Sequence, residues 1–230
     1  MEKWQELLSE CFPVFMTTET TGVSSNDTIS ALSLREPVVS PAQVLLFDVE
    51  AAAGAEAESR AAKFMGMSQD QFHASPKSND GTVIELLNPV FEYCQAWNLK
   101  PVAVTYNPAF QRRFFDILGT GMGESMYWLD ICKLCWCLTN VNVESMDAGS
   151  IPELLESMDA FTNGAKKMGY KDIMAAWGIP LPNPCPPATK TEHVQKLWNK
   201  ISHWTSGCNV WQLPDKDTAY PVMATLTESR

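Results

Sequence analysis

With 230 residues, the chain has room for one large domain or two small ones, and at 45% hydrophobic and 10% aromatic it can bury a substantial core, which excludes global disorder. A net charge of −10 argues against broad, sequence-blind nucleic-acid binding, which needs Lys and Arg facing phosphates, although a local basic groove stays compatible with it. No apolar run reaches the ~18 residues expected of a transmembrane helix, so no membrane association is expected.

The opening, MEKWQELLSECFP, lacks the basic-then-apolar order of a signal peptide and reads as a short amphipathic helix over residues 2–10, closed by Pro13. Three apolar, β-branched runs follow, VFMTT, TISALSL and QVLLFDV, each predicting a strand. The Ala- and Glu-rich segment 51–65 predicts partial helix. Residues 80–97 suit a helix, with a break or kink at Pro89 because proline lacks the N–H and crowds the preceding turn. KPVAVTYN, residues 100–107, reads as a buried strand ending in a polar turn, and PAFQRRFFDILGTGMG as a helix followed by glycines. YWLDICKLCWCL predicts strand then helix, and residues 150–182 hold at least two helical segments. In the helix 191–204, Val194, Leu197, Trp198 and Ile201 share one face. Strands mixed with helices in this order predict an α/β fold, a mixed sheet with flanking helices. The expected organisation is an N-terminal helix over 1–12, a main domain over 13–206 and an extended tail over 207–230.

Seven cysteines, without the spacing of a small disulfide scaffold, point to a reducing, cytoplasmic compartment. Cys132, Cys135 and Cys137 lack the second pair that a zinc site needs, which favours buried helical thiols.

The motifs in chain order carry a resemblance. VFMTTETTG followed by NDTISALSL resembles the opening of the DnaQ-like 3'-5' exonucleases, a family with an RNase H-like fold whose first motif is a strand ending in Asp-x-Glu-Thr-Thr-Gly. KFMGMSQDQF resembles the family's His-Gly-Ile segment, and VAVTYNPAFQRRFF its second motif, His-Asn-x-x-Phe-Asp on a strand and helix. WLDICKL resembles the Asp-Thr segment, and MAAWGIPLPNPCPPATKTEHVQKLW the stretch with the third motif, a His with an Asp five residues on. The matches run from Val14 to about Trp198.

The resemblance implies a site for two divalent ions held by carboxylates, which stabilise the attacking and leaving oxygens of a phosphodiester displacement. Position by position, this sequence keeps one acid. Thr17 stands for the first Asp, Glu19 remains, Gln111 stands for the second-motif Asp, Cys185 for the His and Lys190 for the last Asp. Hard cations such as Mg²⁺ need oxygen anions, so the expectation is a degenerate site without a metal, in which the Lys190 ammonium pairs with Glu19. The resemblance places a 3'-terminal nucleotide against Thr20, Thr21, Gly22, Asn107 and Phe110. Read without it, Glu19 is a strand-end carboxylate, Gly22 a turn residue supplying positive φ, Asn107 a helix N-cap before Pro108, and Phe110 and Phe114 core. His193 reads as a solvated residue, and Asp130 matches a family Asp that is structural.

The expected function is a catalytically degenerate exonuclease-like domain that works by binding a protein partner, a second copy of itself, a single-stranded nucleic-acid end or a nucleotide. The competing expectation is an active exonuclease with rearranged ligands Glu19, Asp48 and Glu50 and bound Mg²⁺ or Mn²⁺. Trp198, Trp204 and Trp211 are either partner contacts or core.

Overall fold

A computed structural model describes residues 3–23, 27–37, 42–49, 54–141, 148–163, 169–183 and 185–204. Five strands form one mixed sheet: β1 (Cys11–Thr20), β2 (Ile29–Arg35), β3 (Gln43–Leu46), β4 (Lys100–Thr105) and β5 (Tyr127–Asp130), in spatial order β3-β2-β1-β4-β5. β2 runs antiparallel to β1 and β3, whereas β4 lies parallel to β1 and β5. The helices are α1 (Lys3–Ser9), α2 (Ala55–Met65), α3 (Gln69–Ala74), α4 (Asp80–Ala96), α5 (Pro108–Asp116), α6 (Ile131–Asn140), α7 (Ile151–Thr162), α8 (Tyr170–Ala176) and α9 (Pro187–Trp204). The chain is therefore an α/β protein with a five-stranded mixed sheet and flanking helices. Among the described residues, no helix is long and apolar enough to cross a membrane.

β1 is buried along its whole length because side chains alternate between two covered faces. Phe12, Val14 and Met16 point to a layer containing α4 residues Val83, Leu87 and Val90 together with Phe115 of α5. Cys11 and Phe15 point to the opposite layer, built from α1, α6, α7, α8 and α9. There Trp198 stands edge-on to Phe15, ring centroids 6.1 Å apart, and is 3% exposed. This settles Trp198 as core; the Trp204 side chain, Trp211 and the tail 207–230 lie outside the described residues.

The structure departs from the expected boundaries for local reasons. β1 takes over at Cys11, so Pro13 lies within the strand instead of closing the helix. Pairing with β2 starts only at Phe15, and at Pro13 the strand has β4 alone beside it, where a missing N–H is tolerated. α1 places Trp4, Leu7 and Leu8 in the same core as β1. α4 continues unbroken through Pro89, started by a capping box of Asn79 and Thr82 and held by its buried apolar face. The QVLLFDV strand is shorter than its apolar run, ending at Leu46.

Replacing Trp198 by Ala should empty this contact and cost ~3–5 kcal/mol of stability, read as a lowered denaturant midpoint. A loss below ~1 kcal/mol would show that α9 does not anchor the sheet there.

Candidate functional site

The parallel pairing of β1 and β4 brings the first and second motif segments together at the C-terminal ends of both strands. The ladder ends at Phe15↔Val104, so beyond it β1 continues with one edge no longer paired to β4. α5 follows the turn after β4 and covers that edge. Gln111, fully buried, accepts two hydrogen bonds at its Oε1, from the Thr18 N–H and the Thr18 hydroxyl, each 2.6 Å long. The Gln111 amide thus serves as a backbone partner for β1, and its side chain also lies against the Tyr106 hydroxyl, holding that phenol's pKa down against burial.

The other face of β1 meets α9. The Thr17 hydroxyl lies 2.8 Å from the Thr191 hydroxyl and 3.1 Å from the Pro187 carbonyl oxygen. The residue before Thr191, Lys190, donates from Nζ to Glu19 Oε1 in a largely buried ion pair. Burial pushes the Glu19 carboxyl above its ordinary range, and the Lys190 ammonium pulls against that. Cys185 lies within electrostatic reach of both: burial raises its thiol pKa, Lys190 lowers it and Glu19 raises it. Thr17, Glu19, Cys185 and Lys190 therefore converge on one side of β1, while Gln111 reaches the strand from the other.

The turn after β1 is occupied by its own side chains. Thr20 donates to the Gly22 carbonyl at 2.5 Å, and the Thr21 hydroxyl lies 3.0 Å from Asp27 Oδ1 while accepting from the Thr28 N–H at 3.1 Å. Gly22 does not adopt the expected positive φ; instead the Asp27 carboxylate fills the space above it, 2.6 Å from where a Cβ would stand. Asn107 stands at the N-cap position of α5, but in the left-handed region at φ 50°, and its side chain makes no capping bond. Phe114 is core as expected; Phe110 is half-buried against it, centroids 4.8 Å apart.

His193 corrects an expectation. It is 5% exposed, not solvated, and burial lowers its pKa ahead of the smaller effect of Lys196. Asp130 caps α6, accepting from the Cys132 and Lys133 N–H groups at 2.9 and 3.3 Å. Cys135 and Cys137 are buried free thiols and Cys132 is half-buried; burial pushes the Cys137 thiol up to about 11. Asp48 is exposed beyond β3, which β2 separates from β1, and Glu50 lies outside the described residues.

Two residues escaped the sequence reading. Tyr106, just after β4, stacks on Tyr170 at the start of α8 with centroids 4.5 Å apart. Burial raises both phenol pKa values, and both feel the Glu19 charge. They line a cleft of about 1000 Å³ together with Asn107, Trp128, Lys133 and Trp136. Lys133 is held there by Asp159 at 2.5 Å. The signal available in sequence was the aromatic residue directly before Asn107 at a strand end.

The donor set does not fit a pair of divalent ions. Such ions need several oxygen anions, whereas the carboxylate of Glu19 is already neutralised by an ammonium and its neighbours are hydroxyls, a thiol and an amide. Among the described residues, no three His, Cys, Asp or Glu side chains are grouped as metal ligands. Comparison with models of known protein families and with curated protein sequences finds no match.

Replacing Lys190 by Met should leave Glu19 buried and unpaired, a change that typically costs ~3–5 kcal/mol. The folded pKa of Glu19 would then stand further above its unfolded value of 4.5, so the stability loss should grow as pH rises from 5 to 8. Denaturant melts across that range, with a Glu19→Leu, Lys190→Leu double variant recovering most of the loss, check this; a pH-independent loss would contradict it.

Proposed function

We propose that this chain is a DnaQ-like, RNase H-like domain that has lost metal-dependent hydrolysis and acts by binding. The observation that carries the reading is the Lys190–Glu19 ion pair, formed between the two positions that the motif order assigns to metal ligands. Its geometric support is the neighbouring of the first- and second-motif strands and the approach of α9 to the same strand end, which bring all three motif segments together. The ammonium supplies in the folded protein the positive charge that a cation supplies in an active site of this kind.

The adjoining aromatic cleft offers a place for a ligand. Stacked tyrosines, two tryptophans and the exposed Asn107 suit a planar group or an extended chain end. The net charge of −10 favours a protein partner or a second copy of the chain over long nucleic acid, with a single-stranded end or a nucleotide as the smaller ligands of the same reading. On its seven cysteines, which lack the spacing of a disulfide scaffold, we place the chain in a reducing, cytoplasmic setting.

End-labelled single-stranded DNA and RNA, incubated with the pure protein and Mg²⁺ or Mn²⁺, should stay full length, with no difference between the wild type and Glu19→Ala. Metal-dependent shortening from the 3' end that Glu19→Ala abolishes would replace this reading with that of an active exonuclease.

A further inference from the structure

Two stacked phenols form the wall between the aromatic cleft and the end of β1, and their hydroxyls are placed differently. The Tyr106 hydroxyl lies against the Gln111 side chain, whose Oε1 holds the Thr18 N–H and hydroxyl at 2.6 Å each. The Tyr170 hydroxyl is buried and makes no hydrogen bond among the described residues. Thr18 in turn sits between Thr17, which meets Thr191, and Glu19, which holds Lys190. An unbroken line therefore runs from the cleft wall through Tyr106, Gln111 and Thr18 to the ion pair.

The backbone along this line is closely held. Asn107 stands in the left-handed region at φ 50°, and its carbonyl accepts from the Phe110 and Gln111 N–H groups at 3.0 and 3.1 Å. Its own N–H is bound by the Asp130 carboxylate. Tyr106 and Gln111 thus leave opposite ends of one fixed turn, which has little slack to absorb a shift of either. Thr18 depends on that turn, because the ladder between β1 and β4 stops at Phe15↔Val104 and Gln111 takes the place of the missing rung.

We propose that Tyr106 is a relay: it keeps Gln111 seated on Thr18, so that displacement of its ring from the cleft side loosens the end of β1 beside the ion pair. The relay belongs to the free chain; only its trigger rests on the reading that the cleft takes a ligand. Tyr106→Phe keeps the ring and its stacking but removes the oxygen beside the Gln111 amide. Tyr170→Phe makes the same chemical change on the other ring of the stack, where the hydroxyl holds nothing.

Amide exchange on the full chain tests the relay. In Tyr106→Phe the opening equilibrium at the Thr18 N–H should rise by about tenfold, the upper range for losing one hydrogen-bonded group. Tyr170→Phe should leave Thr18 as in the wild type, and Leu87 in α4, a reporter of global opening, should not change in either variant. Once Gln111→Leu has removed the amide, adding Tyr106→Phe should produce no further rise at Thr18. Unchanged exchange in Tyr106→Phe, an equal rise in Tyr170→Phe, a rise shared by Leu87, or a further rise on top of Gln111→Leu each overturns the proposal. Strand cleavage depends on neither hydroxyl, so the loss of hydrolysis and the relay fail separately.

Discussion

The Lys190–Glu19 ion pair is the interaction on which the arrangement of the motif segments rests. A carboxylate at the covered end of a central strand cannot remain charged without a partner, because burial disfavours its ionised form. Here the partner comes from the first turn of α9, whose long apolar face is already fixed on Phe15 by Trp198. The electrostatic demand at one end of the helix and the packing at the other thus select the same docking position. A divalent cation brought to Glu19 would have to displace an ammonium that the fold itself delivers, and would find hydroxyls, a thiol and an amide where it needs anions.

β1 serves two layers at once. Thr17 faces α9 through Thr191 and the Pro187 carbonyl, while Thr18 faces α5 through Gln111. In each case a neutral group binds a neighbouring element where the resemblance would place a metal-binding acid. Gln111 illustrates the chemistry well: a carboxylate would accept the same two bonds but would add a buried charge to a site with one ammonium. With the amide, the segment is held by hydrogen bonds at no cost in net charge. The turn from Thr20 to Thr28 is likewise closed by its own hydroxyls and Asp27, so the open features at this end of the sheet lie on the Tyr106 and Tyr170 side.

Much of the fold was legible because its signals are local. Apolar, β-branched runs gave the strands, and the amphipathic period of 191–204 gave the face of α9 that is buried. The convergence of Glu19 with Lys190 was legible too, since charges left over from a motif comparison had to meet or be stranded. What failed depended on packing that no local pattern encodes. His193 looked solvated by its place in the helix, yet α9 is covered on more than one side and buries it. Pro89 was expected to break or kink its helix, and of the two the break does not occur: the buried apolar face of α4 holds the helix through it. Gly22 was assigned to backbone freedom, when the space above it is filled by a carboxylate five residues away. Tyr170 was invisible because its significance lies in stacking on Tyr106, across a sequence separation that spacing alone does not link.

The central claim is that the site's positive charge is built in. Titrating the pure protein with Mn²⁺ and following the free ion by electron paramagnetic resonance tests it most directly. The account predicts no ion held at Glu19, and therefore the same free-ion curve for the wild type and Glu19→Gln at millimolar Mn²⁺. Saturable uptake of two ions per chain, lost in Glu19→Gln, would contradict it.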